Sequence, residues 1–359
     1  MQSINVSKLE KIKGELIDEL KQIKKRGSKA RIKVTIMPHF CLDIFVGCDD
    51  DCDSFTCNFK EVVDRKGGNL PIKKQILSIG GKAANCASAL DSIGCDVSLI
   101  SKTDRLGLIL LEHFFENKKI DLSHVKTDGK LASTCAIELK EANVMLSDAG
   151  SLTEFSQEYL NDEDKELIES SNYVCISDWA LNNKGTQIAE YVFKIAKKAK
   201  SAECKTFFDP GDPSFRKDID IEQLIEKVLK KKLVDMLSVN EDEVIRYGSK
   251  IADSNTILQA GDNLKKMTRV DLHTKDGDCS FKKSKETAFI PSFICKPKRL
   301  TGAGDSWNAG DIYGDAIGLG DEARLMLSNA VAAYYISNEV HPSIKDLVRF
   351  LEGAKFIMA

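Results

Sequence analysis

The feature that most limits what this chain can become is a long alternation of short β-rich runs with segments of helical periodicity. RIKVTIM (31–37) is followed by KAANCASALDSIG (82–94), DVSLIS (96–101) and a helical stretch around 106–117. The series resumes with NYVCIS (172–177), a helical stretch carrying Ile188, Ala189, Val192, Ile195 and Ala196 on one face, KTFFD (205–209), a helical pattern near 220–230 and VDMLSV (234–239). Helical patterns at 241–249 and 254–266, the run RVDLHT (269–274) and a helical C-terminal third complete it. Strands separated by helices line up parallel, with the helices covering the sheet, so the expected class is α/β.

Two regions break the rhythm. Residues 44–79 and 130–148 read as strands and turns without intervening helices, which predicts a small antiparallel sheet built from two excursions and lying as a lid over the ligand edge. Ahead of the series, residues 7–25 place Leu9, Ile12, Leu16, Leu20 and Ile23 at helical spacing among many charges. The expected organisation is a helical extension over 1–30 and one domain over 31–359.

Composition narrows the partners. With 42% hydrophobic and 30% charged residues in 359, the chain can bury a sizeable core, and a formal net charge of -3 gives no reason to expect nucleic acid or a membrane surface. The basic cluster Lys21, Lys24, Lys25, Arg26, Lys29, Arg31 and Lys33 lacks interleaved aromatics and reads as a solvated helix end. No run approaches the roughly 18 apolar residues of a spanning helix, and the start lacks the apolar core of a signal peptide, so a cytoplasmic protein is expected. Most of the eleven cysteines sit in apolar runs and are expected to stay reduced; the spacing of Cys48, Cys52 and Cys57 matches no common zinc or iron–sulfur pattern.

Three local motifs carry chemistry. In Thr301-Gly302-Ala303-Gly304-Asp305-Ser306 small residues open a helix, so backbone N–H groups and the helix dipole can close around an anion. Asp305 either caps that helix or faces a reacting group beside the anion. Gly80-Gly81-Lys82-Ala83-Ala84-Asn85 is a second glycine turn at a helix start, suited to a ligand or to a tight turn alone. Asn240-Glu241-Asp242-Glu243 follows a strand and opens a helix, where carboxylates either order Mg²⁺ or complement the helix dipole. The P-loop and Rossmann fingerprints are missing, and the histidines are scattered.

In this order, the motifs resemble those of the PfkB (ribokinase-like) carbohydrate kinase family, through GGKAANCASALDSIGCDVSLISKTDRLG and LTGAGDSWNAG. The resemblance implies a three-layer α/β/α sandwich with a mostly parallel sheet and a β-lid. It also implies ATP and Mg²⁺ acting on a small-molecule acceptor, with a homodimer through the lid sheets as an option. It makes Asp305 the general base and Gly302, Ala303 and Gly304 an anion hole. Asp43, Gly81, Lys82 and Asn85 fall on the acceptor side; Asn240, Thr274, Gly277 and Asn329 on the ATP side; and Glu243 on Mg²⁺ through water. Arg299 and Leu300 stand where many members have Asp-Thr, which sets a K⁺ site in doubt. The acceptor is expected to be a sugar or sugar derivative; a nucleoside kinase and a catalytically silent binder are the alternatives.

Overall fold

The computed structural model describes residues 5–26, 31–48, 50–140, 142–199, 204–299 and 301–357. Its strands are β1 (Lys33–Pro38), β2 (Cys41–Gly47), β3 (Lys74–Gly80), β4 (Asp96–Leu99), β5 (Ser101–Lys102), β6 (Val125–Lys126) and β7 (Ser133–Glu138). Then come β8 (Asn143–Asp148), β9 (Tyr173–Ser177), β10 (Lys205–Asp209), β11 (Met236–Val239), β12 (Arg269–Leu272), β13 (Gly277–Phe281) and β14 (Ala288–Pro291). The helices are α1 (Val6–Arg26), α2 (Cys52–Asp64), α3 (Lys82–Ser92), α4 (Arg105–Phe114), α5 (Asp162–Ser170) and α6 (Gly185–Lys198). The chain ends with α7 (Asp218–Leu224), α8 (Glu241–Gly248), α9 (Ile257–Leu264), α10 (Ala303–Ala316), α11 (Asp321–Asn338) and α12 (Ile344–Gly353).

The large sheet has the order β14-β13-β12-β11-β10-β9-β1-β4. It is parallel from β4 to β12 and antiparallel at β13 and β14. Alternate side chains of each strand enter opposite cores, as period two requires. Cys175, Phe207 and Met236 join α1, α3, α10, α11 and α12 on one face, while Val174, Ile176, Phe208 and Leu237 join α5 to α9 on the other. The three-layer sandwich follows from that partition. Helix α1 belongs to the first layer: Leu9, Leu16 and Leu20 are buried, and Lys8 and Lys21 pair with Glu322 and Glu352. Of the basic cluster, Arg31 pairs with Asp96, and Lys29 lies outside the described residues.

The lid differs from the sequence reading in two ways. First, the small sheet, in the order β3-β2-β7-β8, is mixed: β2/β3 and β7/β8 are antiparallel, but β2 and β7 are parallel where the two excursions meet. Second, the 44–79 segment contains a helix, α2, which carries Cys52 and Cys57. Its N-cap Asp51 accepts from the Ser54 N–H at 2.8 Å, and Phe55, Phe59 and Val62 recur at i, i+4 and i+7, a helical spacing that the neighbouring cysteines and acidic residues obscured.

A buried ionic network fixes α10 against the sheet. Arg324 on α11, 1% exposed, bonds Asp311 of α10, and it donates to Asp271 Oδ1 of β12 and to Ser280 Oγ of β13, both at 2.9 Å. Arg269 of β12 donates to Asp271 and to Asp315 of α10, each at 2.6 Å, and Asp315 also accepts from Tyr173 and Lys205 at 2.6 Å. Removing one member strands buried charge, so Arg324→Ala should lower unfolding free energy by about 3–5 kcal/mol in a urea titration. A loss under about 1 kcal/mol would show that the network does not hold α10.

Candidate active site

Helix α10 begins at the C-terminal edge of the large sheet with Gly302 as its N-cap in the left-handed region, φ 88°. A Cβ there would lie 2.9 Å from the Tyr335 hydroxyl, which donates to the Thr301 carbonyl at 3.2 Å. The first-turn N–H groups of the helix lack partners within it, and Ala303 and Gly304 border open cavities. Opposite, Gly81 (φ 89°) caps α3; a Cβ on it would meet the His39 carbonyl at 2.6 Å and Phe40 Cα at 2.7 Å. Both turns need glycine for backbone reasons, and both face one cleft.

Two cavities meet at Ala303 and Gly304. The first, about 400 Å³, lies under the lid and is lined among others by His39, Asp43, Phe45, Gly81, Lys82 and Asn85, and by the 301–305 turn. The second, about 450 Å³, is lined by His273, Thr274, Asp278, Trp307, Asn329 and apolar residues from 293 to 357. Register explains the lid's share: Asp43 pairs with Thr134 and Phe45 with Ala136, which pair in turn with Ser147 and Met145, so one face of β2, β7 and β8 looks into the first cavity.

Asp305 is 7% exposed and accepts from Asn85 Nδ2 at 3.0 Å. Burial raises its pKa to about 6; Asp209 pushes the same way, and Lys82, Asn85 and His39 oppose the rise. Lys82 Nζ sits 3.1 Å from both oxygens of Asp209 at the end of β10. Burial opposes its charge, but Asp209, Glu243, Asp305 and Asp178 outweigh burial and hold the ammonium well above its usual range. Asn308 of α10 donates to Asp209 at 2.8 Å, so the ion pair is also tied to the helix that carries Asp305. Burial likewise raises Asp43, against the Cys41 thiol, which donates to it at 3.3 Å, and the Arg299 guanidinium.

Asn240 and Glu243 form a capping box on α8: Asn240 Oδ1 accepts from the Asp242 and Glu243 N–H groups at 3.0 and 2.9 Å, and Glu243 Oε2 from the Asn240 N–H at 3.0 Å. Glu243 is buried, and that burial raises its pKa to about 7 against the pull of Lys82. Among the described residues no cluster of three or more His, Cys, Asp or Glu side chains could by itself hold a metal ion.

The pfkB family carbohydrate kinase model matches residues 52–340. The chain belongs to this family. This pfkB kinase is 27% identical over 260 residues to a candidate sugar kinase of Pyrococcus horikoshii, across 69% of this chain and 78% of that protein. It is 24% identical over 290 residues to the 5-dehydro-2-deoxygluconokinase of Geobacillus thermodenitrificans, across 77% of this chain and 85% of that one. Its fold is similar to that of Arabidopsis thaliana ribokinase solved with ribose and ATP, with a TM-score of 0.72 at 18% identity over 90% of this chain and 99% of that one.

Within this pfkB kinase, Asp43, Gly81, Lys82, Asn85, Asn240 and the 302–305 turn all line the first cavity, and Thr274 and Asn329 the second. Glu243 and Gly277 line neither. Gly277 is in β13, where a Cβ would meet Phe289 at 2.5 Å, and the Thr274 hydroxyl closes its own turn by donating to the Gly277 carbonyl at 2.6 Å. Of the aromatics considered for stacking, Phe40 and Trp179 are core residues, Phe55 stacks on Phe59 within α2, and Phe45 carries the Arg299 guanidinium 4.7 Å above its ring. Leu300 lies outside the described residues. Sequence reasoning missed Asp209, Asp178 and His39, while His273 opens the 273–277 segment that the family resemblance places on the ATP side; Asp209 ends β10 and Asp178 follows β9, positions that the strand-end rule for open α/β sheets points to.

Proposed function

We propose that this kinase transfers the γ-phosphate of ATP to a hydroxyl of a small polyhydroxy acceptor, a sugar or sugar derivative. The observation that carries this is the meeting of the two cavities at Ala303–Gly304, with Asp305 facing the lid-side cavity. ATP fits the second cavity, with the base near Asn329 and the Thr274 turn and the phosphates toward the α10 N-terminus. There, the 302–304 N–H groups would act as the anion hole for charge on the transferring phosphoryl group.

Asp305 is the proposed general base. At neutral pH it is ionised, yet its raised pKa makes it a better proton acceptor than an ordinary carboxylate. Asp43, Asn85, Gly81 and Lys82 would hold the acceptor, and two oxygens of Asp43 suit a polyol's hydroxyls. The converging polar groups of Asp43, Lys82, Asn85 and Asp305, and a Phe45 ring already covered by Arg299, favour a sugar over a stacked nucleoside base. Mg²⁺ would be held mainly by the phosphates and water, with Glu243 near, and would neutralise phosphate charge when bound. Arg299 already supplies positive charge beside the lid, which supports a site that does without K⁺. A cytoplasmic location is in keeping with a reduced set of buried thiols. The exposed outer face of the lid, with Leu77, Val144 and Leu146, supports a homodimer through these sheets.

Coupled ADP release with Mg-ATP and a panel of sugars, sugar acids, inositols and nucleosides tests the reading; one acceptor class should stimulate turnover, and stimulation by none contradicts it. Asp305→Asn should lower kcat by about 10²–10⁴-fold at unchanged ATP KM. Because the base must be ionised, kcat/KM should fall as pH drops through about 6 and level off above it. A profile flat from pH 5 to pH 8 would remove Asp305 from this role.

A further inference from the structure

His39 follows β1 and contacts two elements. Its backbone carbonyl accepts the N–H groups of Ala83 and Ala84 at the start of α3, at 3.0 and 3.2 Å. Its ring Nδ1 lies 2.6 Å from Asp178 Oδ2 and 3.2 Å from the Lys82 backbone nitrogen, and the much shorter contact, to a carboxylate, places the Nδ1 proton toward Asp178. Asp178 is a non-glycine residue held in the left-handed region, φ 66° and ψ 52°. Its N–H donates to the Asp209 carbonyl at 2.8 Å, and a Cβ on Gly211 would reach within 2.8 Å of its Oδ1. A strained backbone kept at the end of a strand, aiming one carboxylate at one ring, is a feature of binding and catalytic sites.

The ring's other nitrogen is open. Nε2 makes no hydrogen bond to a described residue, the side chain keeps 13% exposure, and His39 lines the lid-side cavity beside Asp43, Lys82, Asn85 and Asp305. Its polar neighbours there are already engaged: Lys82 with Asp209, and the Asn85 amide with Asp305. Burial works against a charged ring, but the Asp178 carboxylate outweighs it and favours the imidazolium, in which Nδ1–H donates to Asp178 and Nε2–H remains free.

We propose that His39 is an acceptor-binding residue whose Nε2–H donates to an oxygen of the phosphoryl acceptor beside Asp305, with Asp178 as the positioning residue that fixes the ring. The assignment rests on the phosphotransferase reading of this site. It adds a donor from the first loop of the core to a cavity whose lid contributes the Asp43 carboxylate, so that one acceptor oxygen receives a hydrogen bond while neighbouring hydroxyls donate theirs.

The test is steady-state kinetics of the full chain with Mg-ATP and three probes, D-ribose, 5-dehydro-2-deoxy-D-gluconate and adenosine, using whichever stimulates ADP release. His39→Ala should raise acceptor KM by about tenfold or more while ATP KM stays within about twofold, and Asp178→Asn should act in the same direction. His39→Gln, which keeps an N–H donor at similar reach, should recover part of the loss, a rescue that a purely structural role would not give. The carbonyl that caps α3 is untouched in all three variants, the ring's contact with the Lys82 N–H is lost when His39 is replaced, and thermal unfolding of each checks that the fold persists. Unchanged acceptor KM in a folded His39→Ala, with wild-type turnover on a probe, overturns this assignment alone. No stimulation of the wild type by any of the probes overturns it together with the reading on which it rests.

Discussion

The ion pair between Lys82 and Asp209 is the contact on which the site turns. It joins the first residue of α3 to the last residue of β10, and through Asn308 it reaches α10. Four carboxylates, from Asp209, Glu243, Asp305 and Asp178, surround that one ammonium. Burial strips these carboxylates of water, so two of them are pushed toward protonation against the pull of Lys82, and Asp305 and Glu243 carry the shift. The excess of carboxylates over that one ammonium also makes the site receptive to a cation that travels with phosphates, which is where the proposed Mg²⁺ belongs.

Positioning comes from elsewhere. The helix that presents Asp305 is held by Arg324 and Arg269 through Asp311 and Asp315, about two to three turns beyond its N-terminus. Small residues at 302–304 leave the N-terminal turn open, and the buried arginines keep its direction fixed. Electrostatic catalysis depends on donors that do not move as charge develops, and a helix anchored at its far end by paired charges meets that need. The lid, by contrast, shows its outer face to solvent and touches the segment before α10 through Arg299, whose guanidinium donates to Ser78 and covers Phe45.

Local features of this chain were legible in the sequence. The 301–306 and 80–85 turns depend on glycines whose strain and close contacts lie within a few residues, and the alternation of strands and helices follows from periodicity. What was not legible is long-range. The Asn85–Asp305 hydrogen bond spans 220 residues, and the Lys82–Asp209 pair 127. His39 carries no local mark, since its meaning comes from Asp178 in the adjacent strand's loop. Asn240 and Glu243 had two readings in the sequence; their side chains cap α8, while the Glu243 carboxylate lies within the field of Lys82. Helix α2 was lost for a different reason, because turn-forming and cysteine residues at its start outweighed a helical apolar spacing of three residues.

The central claim is that nucleotide phosphates end at the α10 N-terminus, within reach of Asp305. A crystal structure of the chain with magnesium AMP-PNP tests it most directly. The γ-phosphate oxygens should lie about 3 Å from the first N–H groups of α10, with the base in the cavity between His273 and Asn329. A nucleotide seated elsewhere, or one whose γ-phosphate faces away from Asp305, would contradict it.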